Sequence, residues 1–235
     1  MRVLLGIDDT DAPGSDGGTA RLVRNLAEEL PPDAAFVGSL AYHLFPGVPA
    51  TSNNKASCLV FDSPLELWQD GLFDQAVSYL SRHAARGSSP GLVLAGAVPA
   101  SLVELGRQAS WREIAISEME AAAKGLQIWP AGRARGLIGA AAAVGLTAWG
   151  WTGRWLELGH LRSSERILRV SDLSAIGIRV VSADMRAEIP APGDWVDTRD
   201  WLRPQMIAGE PVLPVTAVGD GLWDVIDAKM RKAFR

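Results

Sequence analysis

One cysteine, two tyrosines and three histidines are all that the 235 residues hold of these types. The single thiol, Cys58, excludes an internal disulfide and any cysteine-rich zinc site. Its setting, Ala56-Ser57-Cys58-Leu59-Val60-Phe61, reads as a buried strand, which assigns the thiol to the core rather than to nucleophilic chemistry. His43, His83 and His160 stand apart with no metal-ligand spacing and are read as structural. Excess positive charge is missing too: the formal net charge of -4 argues against a general affinity for nucleic acid or anionic membrane. No run of eighteen apolar residues occurs, and the N-terminus enters a strand without a signal-peptide pattern. These absences lead us to expect a cytoplasmic protein with no membrane partner.

What is present suffices for a core. Hydrophobic residues make up 48% and charged residues 21%, in a chain long enough for one large domain or two small ones. The nine tryptophans are scattered. Cores and subunit contacts, including those of a homo-oligomer, are their expected use, ahead of a base-stacking platform.

The most informative stretch is Gly6-Ile7-Asp8-Asp9-Thr10-Asp11 with the glycine-rich tail through Thr19. Val3-Leu4-Leu5 before it reads as a buried strand, and Leu22, Val23, Leu26 and Leu30 after it have helical spacing. The carboxylates thus fall at a strand-to-helix crossing, where an open α/β sheet keeps its ligand crevice. Asp8, Asp9 and Asp11 repel one another, and a bound divalent cation is the usual remedy; magnesium would bring phosphates in its company. Gly14, Gly17 and Gly18 let the backbone approach an anion, and Thr19 is the expected helix cap. The alternative is an acidic turn whose aspartates only bond loop amides.

Further along, 35–44 reads as a second strand that runs into the polar loop Thr51-Ser52-Asn53-Asn54-Lys55. That loop suits a polar ligand and suits a solvated hairpin equally. A helix is expected from Pro64, with Asp70-Gly71 as a candidate break, then a strand at 91–98 and a helix at 101–108. Ser117 and Glu120 have capping-box spacing before the Ala-rich turn 121–124. The alternation favours α/β architecture or a ferredoxin-like α+β arrangement. In 132–145, Arg133 and Arg135 precede a glycine-spaced helix start, and together with free backbone amides they could grip a phosphate or carboxylate. Gly136 and Gly139 also permit close packing on a sheet, which is the expected role of the four alanines that follow. Residues 146–151 and 154–161 read as two hairpin strands, and Ser163-Ser164-Glu165-Arg166 as a linker. Strands at 176–182 and 211–218 and a terminal helix from Leu222 complete the reading.

Taken in order, these residues resemble a known family, the archaeal isoleucine-tRNA agmatidine (2-agmatinylcytidine) synthetases. Gly6-Ile7-Asp8-Asp9-Thr10-Asp11 with Gly18-Thr19 looks like that family's opening. The spacing Pro46, Pro49, Thr51, Asn53 is similar to its proline–threonine–asparagine loop. Ser89-Pro90-Gly91 and Arg135-Gly136-Leu137-Ile138-Gly139-Ala140 match further motifs, and Trp155-Leu156-Glu157-Leu158 a hairpin. The likeness covers 1–162, the N-terminal kinase-like and ferredoxin-like part, and looks closer to a short bacterial branch. Residues 163–235 then form an accessory segment. The resemblance implies ATP and Mg2+ as cofactors, held by Asp8, Asp9 and Asp11, with Thr19 beside them as a catalytic candidate. It also implies a nucleotide-binding set of Gly17, Gly18, Thr51, Asn53, Asn54, Lys55, Arg135, Gly136 and Gly139, and a ferredoxin-like domain that follows the kinase-like one.

Two departures qualify what it implies. The family's Cys-Thr-Thr turn, with its autophosphorylated threonine, is Gly18-Thr19-Ala20 here. Its C-terminal nucleic-acid-binding fold and zinc ribbon have no counterpart, since no cysteine follows Cys58. The expectation is an Mg-ATP-dependent enzyme that activates an oxygen of a small or nucleotide-sized acceptor by phosphoryl or nucleotidyl chemistry, with no strong tRNA binding of its own. A non-catalytic nucleotide-binding regulator, or tRNA modification with the RNA grip supplied by a partner, are the alternatives.

Overall fold

The computed structural model describes residues 2–15, 17–30, 35–50, 54–62, 68–130, 134–158, 161, 165–184, 188–199 and 202–226. Its first elements are β1 (Arg2–Asp8), α1 (Thr19–Glu29), β2 (Phe36–His43), β3 (Lys55–Asp62), α2 (Trp68–His83) and β4 (Gly91–Ala95). The strands pair in the order β4-β1-β3-β2, each pair antiparallel. This is the βαββαβ arrangement of ferredoxin-like folds. An open α/β sheet predicts parallel neighbours, and the antiparallel pairing decides for the α+β side of the expectation. The aspartate loop lies inside this unit, between β1 and α1.

Alternation along β1 separates the two faces of the sheet. Val3, Leu5 and Ile7 join Val23 and Leu26 of α1 and Leu72 and Leu80 of α2 in one core. Leu4 joins the other, under α5 (Arg135–Trp149). Cys58 is fully buried on β3, and burial pushes its thiol up to about 12, as befits a core residue.

The chain reaches α5 through α3 (Ala100–Ala109), α4 (Ile116–Ala122) and β5 (Gln127–Trp129), an edge strand on β4. In α5 the small residues act as expected: a Cβ on Gly6 would lie 2.1 Å from the Ala140 carbonyl oxygen, and one on Gly145 2.0 Å from that of Leu102 on α3. The helix is thus pressed between sheet and α3 by near contact of backbones. Leu146 to Trp149, read above as strand, are its last turn, and Gly150 ends it in a left-handed conformation at φ 74. Among the described residues of the expected hairpin only 154–158 is strand, β6 (Arg154–Leu158), and it pairs with β2; 159 and 160 lie outside them.

Beyond it come β7 (Ile167–Arg169), α6 (Val170–Ala175), β8 (Arg179–Ser182), β9 (Trp195–Asp197), β10 (Gln205–Ile207), β11 (Glu210–Gly219) and β12 (Leu222–Val225). They continue the sheet through the pair Arg154–Gln205, with β11–β8 and β12–β9 parallel. Of the terminal helix expected from Leu222, residues 222–225 are instead a strand, because they complete a ladder with β11, and 227–235 lie outside the described residues. Three smaller readings also change. Helix α2 passes through Gly71 unbroken. The cap of α4 lies two residues earlier than read, where the Glu118 carboxylate accepts the Ala115 N–H at 2.8 Å. Lys55 belongs to β3 rather than to the loop before it. Pro64 and the first half of the expected linker, Ser163 and Ser164, lie outside the described residues. No described helix is long and apolar enough to cross a membrane.

Candidate functional site

The end of β1 delivers Asp8 to the α5 face, since it continues the Leu4–Gly6 side of the alternation. Its carboxyl rests on Gly139, where a Cβ would come 1.8 Å from Oδ2. Gly136, one turn earlier, donates its N–H to the Ser89 carbonyl at 3.1 Å and sits against Gly91. Gly136 and Gly139 are hemmed in by protein atoms, so they make room for Asp8 and the strand ends rather than opening the backbone to a phosphate. Arg135, the first residue of α5, is exposed.

The electrostatics are unusual for a loop. Burial, followed by the negative charges of Asp9 and Asp11, raises the Asp8 carboxyl to about 8, and only the Asp9 N–H opposes this. Asp9 is raised as well, by burial first and then by Asp11, while the Ser89 N–H and the Arg135 guanidinium oppose. Its φ of 52 is strained for a residue with a Cβ. Asp11 lies on the other side, with Oδ2 3.6 Å from the Cβ position of Gly18. Among the described residues no three acidic, histidine or cysteine side chains converge as a metal cage. The donor set nevertheless fits magnesium, which needs only one or two carboxylates when phosphate oxygens complete its shell.

Gly18 and not Thr19 caps α1; Thr19 is its first helical residue. The Thr19 hydroxyl is buried and accepts a hydrogen bond from Thr10 Oγ1 at 3.1 Å. The loop between is closed by Ser15, whose Oγ accepts the Ala12 N–H at 3.1 Å, and by Gly17 at φ 84. Lys55 opens β3 two residues from Ser57, the partner of Ile7, so it stands at the same sheet edge as Asp9. Asn54 is instead spent on structure, donating its side-chain amide to the Phe45 carbonyl at 2.8 Å. Thr51, Asn53 and Arg133 lie outside the described residues.

One edge of the sheet therefore gathers Asp8, Asp9, Asp11, Gly17, Gly18, Thr19, Lys55 and Arg135, flanked by the N-termini of α1 and α5. Both helix ends carry positive dipole charge and suit an anion. Sequence reading missed the rest of this edge. Ser89 bonds both the aspartate loop and α5. Arg21, Asn25, Tyr79 and His83 line a cleft of about 180 Å³ beside Gly17, Gly18 and Thr10. Arg21 and Asn25 were detectable as the same helical face as Gly18. Tyr79 and His83, stacked at 4.3 Å on α2, reach it only through the tertiary fold.

No family profile matches the chain, and no curated relative does. Solved structures do match. Over 62% of its length the chain is similar to the crystal structure of TiaS in complex with an isoleucine tRNA and ATP, at 26% identity and a TM-score of 0.55. Over the same share it is similar to a tRNA fluorescent labeling enzyme, at 27% identity and a TM-score of 0.54. Each of these takes in 36% of the neighbour's chain. Apo TiaS, described as a tRNA agmatidine synthetase, shares the fold over 74% of this chain and 43% of its own, with 22% identity and a TM-score of 0.56. The resemblance read from the sequence is thus met in structure, and this chain spans less than half of those proteins.

Proposed function

We propose that the aspartate edge binds magnesium-ATP and that the chain is an ATP-dependent enzyme activating an oxygen of a small or nucleotide-sized acceptor. The observation that carries this is Asp8: a buried carboxyl seated on Gly139, repelled by two neighbouring aspartates and, among the described residues, with no cation acting on it. Asp8 and Asp9 would hold Mg2+, which supplies charge neutralisation for a phosphoryl or nucleotidyl transfer. Arg135 and the N-terminus of α5 would take the phosphates from one side, and Gly17-Gly18 with the N-terminus of α1 from the other. Lys55 stands where it can meet the same charge. The ATP-handling region is then 1–162, and the likeness to an ATP-bound neighbour supports the choice of nucleotide. Thr19 favours a second reading in one respect. Its hydroxyl is engaged by Thr10, which suits a module that binds nucleotide without passing a phosphate through this threonine.

Calorimetry with ATP tests the proposal. With magnesium the wild-type protein binds, and Asp9→Asn or chelation weakens binding about tenfold or more, in line with about 1.5–3 kcal/mol for a bond to a charged group. Affinity unchanged by both treatments removes the metal from the account. ATP consumption that requires a compound from cell extract supports the enzyme, and binding without turnover the regulator.

Arg135 gives a sharper expectation. A guanidinium grips two phosphate oxygens at once, which an ammonium cannot copy. Arg135→Lys should keep the melting temperature and lose most ATP turnover. Unimpaired turnover would make Arg135 a solvated helix end.

A further inference from the structure

A second cleft lies at the far end of α5. The helix has 15 residues, so this cleft stands roughly 20 Å from the aspartate edge. Its volume is about 400 Å³, within the range of small-molecule sites. Trp149, Trp151 and Trp155 line it with Leu4, Met206 and Arg2. Three of the nine tryptophans, 149, 151 and 155, meet here.

Each wall narrows the chemistry of an occupant. Trp149 and Trp151 are 37% and 58% exposed, so indole faces are open to a flat partner. Trp155 is 4% exposed, and its buried Nε1–H has no acceptor among the described residues. Buried indole N–H groups ordinarily find one. Arg2 stands at the rim, paired among the described residues with the exposed Asp62 at 3.2 Å, a contact easily exchanged for another anion. A cationic guest is disfavoured, because Arg2 is positive and the Arg107 guanidinium already lies 5.2 Å from the Trp149 ring centroid.

We infer that this cleft is a binding site for a nucleobase carried by a phosphorylated ribose. The base stacks on the indoles of Trp149 and Trp151, an edge carbonyl or ring nitrogen accepts the Trp155 Nε1–H, and the phosphate meets Arg2. Such a base can arrive as a free mononucleotide or within a single strand, and the chemistry of recognition is the same. The site is separate from the aspartate edge and does not depend on how that edge functions.

The test follows the indole N–H signals of the ¹⁵N-labelled protein, assigned with Trp149→Phe, Trp151→Phe and Trp155→Phe. The buffer contains a chelator and no magnesium. The probes are AMP, GMP, CMP and UMP at millimolar concentration, a single-stranded pentaribonucleotide, and ribose 5-phosphate as a ligand without a base. A base-bearing probe is expected to move the Trp155 signal downfield and to perturb that of Trp151, saturably. Arg2→Gln should weaken the response severalfold, and Asp9→Asn should leave it unchanged. Response to mononucleotides assigns the site to free nucleotide, and response to the pentanucleotide alone assigns it to a strand. A Trp155 signal that no nucleotide moves, or that ribose 5-phosphate moves equally, overturns the inference.

Discussion

Asp8→Asn should stabilise the free protein strongly at pH 8 and hardly at all at pH 4. In the unfolded chain this carboxyl ionises near 3.8, whereas burial and two neighbouring aspartates hold it at about 8 in the fold. Below the lower value both states are protonated, and the position contributes no pH dependence. Between the two, the unfolded chain releases a proton that the folded one keeps, so folding loses about 1.4 kcal/mol per pH unit. By pH 8 the loss is about 5 kcal/mol, an amount comparable to the whole stability of many domains. Asparagine imitates the protonated acid and removes the loss. Chemical denaturation of both proteins from pH 4 to pH 9, without divalent cations, measures it. A stability difference that stays flat across that range would show that Asp8 ionises freely. Magnesium with ATP should reverse the ranking, because only the wild type offers a carboxylate at position 8 beside that of Asp9. A variant that is more stable and yet fails to bind cannot be dismissed as misfolded.

Gly139→Ala should abolish nucleotide binding through Asp8. The added methyl would stand 1.8 Å from Asp8 Oδ2 and 2.6 Å from Cγ, so the carboxyl must leave its seat. Overpacking of this kind costs about 1–3 kcal/mol. The double variant Asp8→Ala/Gly139→Ala removes the clash and should recover most of the melting temperature without recovering ATP binding. Gly145→Ala is the control. Its methyl meets the Leu102 carbonyl 2.0 Å away, far from the aspartates. It should lower stability while the protein that remains folded binds ATP normally. Equal binding by Gly139→Ala and wild type would detach Asp8 from nucleotide.

How far the sequence could be read followed the range of the forces involved. The strand of β1, the helix of α1 and the acidic turn between them are local patterns, and all were legible. So was the small-residue packing of α5. Its last turn was misread because Leu146-Thr147-Ala148-Trp149 alternates like a strand; in the fold, Thr147 donates to the Ala143 carbonyl at 2.7 Å and helical packing on α3 prevails. Leu222 to Val225 became a strand for the same class of reason: the ladder with β11 outweighs local preference. The candidate site divides similarly. Asp8, Asp9 and Asp11 stood together in the chain. Ser89, Tyr79 and His83 come to that edge from about seventy to eighty residues away, and only the order β4-β1-β3-β2 brings them. The helix-start glycines were legible as glycines but not in purpose, since nothing local shows that Gly139 faces a carboxyl.

The crossing of α5 over the sheet also bears on how such chains can diverge. Gly6 and Ala140, Gly91 and Gly136, and Gly145 and Leu102 meet as backbone against backbone. Enlarging the glycine of such a pair drives its Cβ into backbone atoms of the other member, which no change of side chain can move aside. Substitution at these positions is therefore a one-way door, and drift elsewhere in the chain leaves them behind as fixed points. Distant relatives that keep the crossing should be recognisable by the glycines at these contacts, even where the loops and the C-terminal strands have changed beyond alignment.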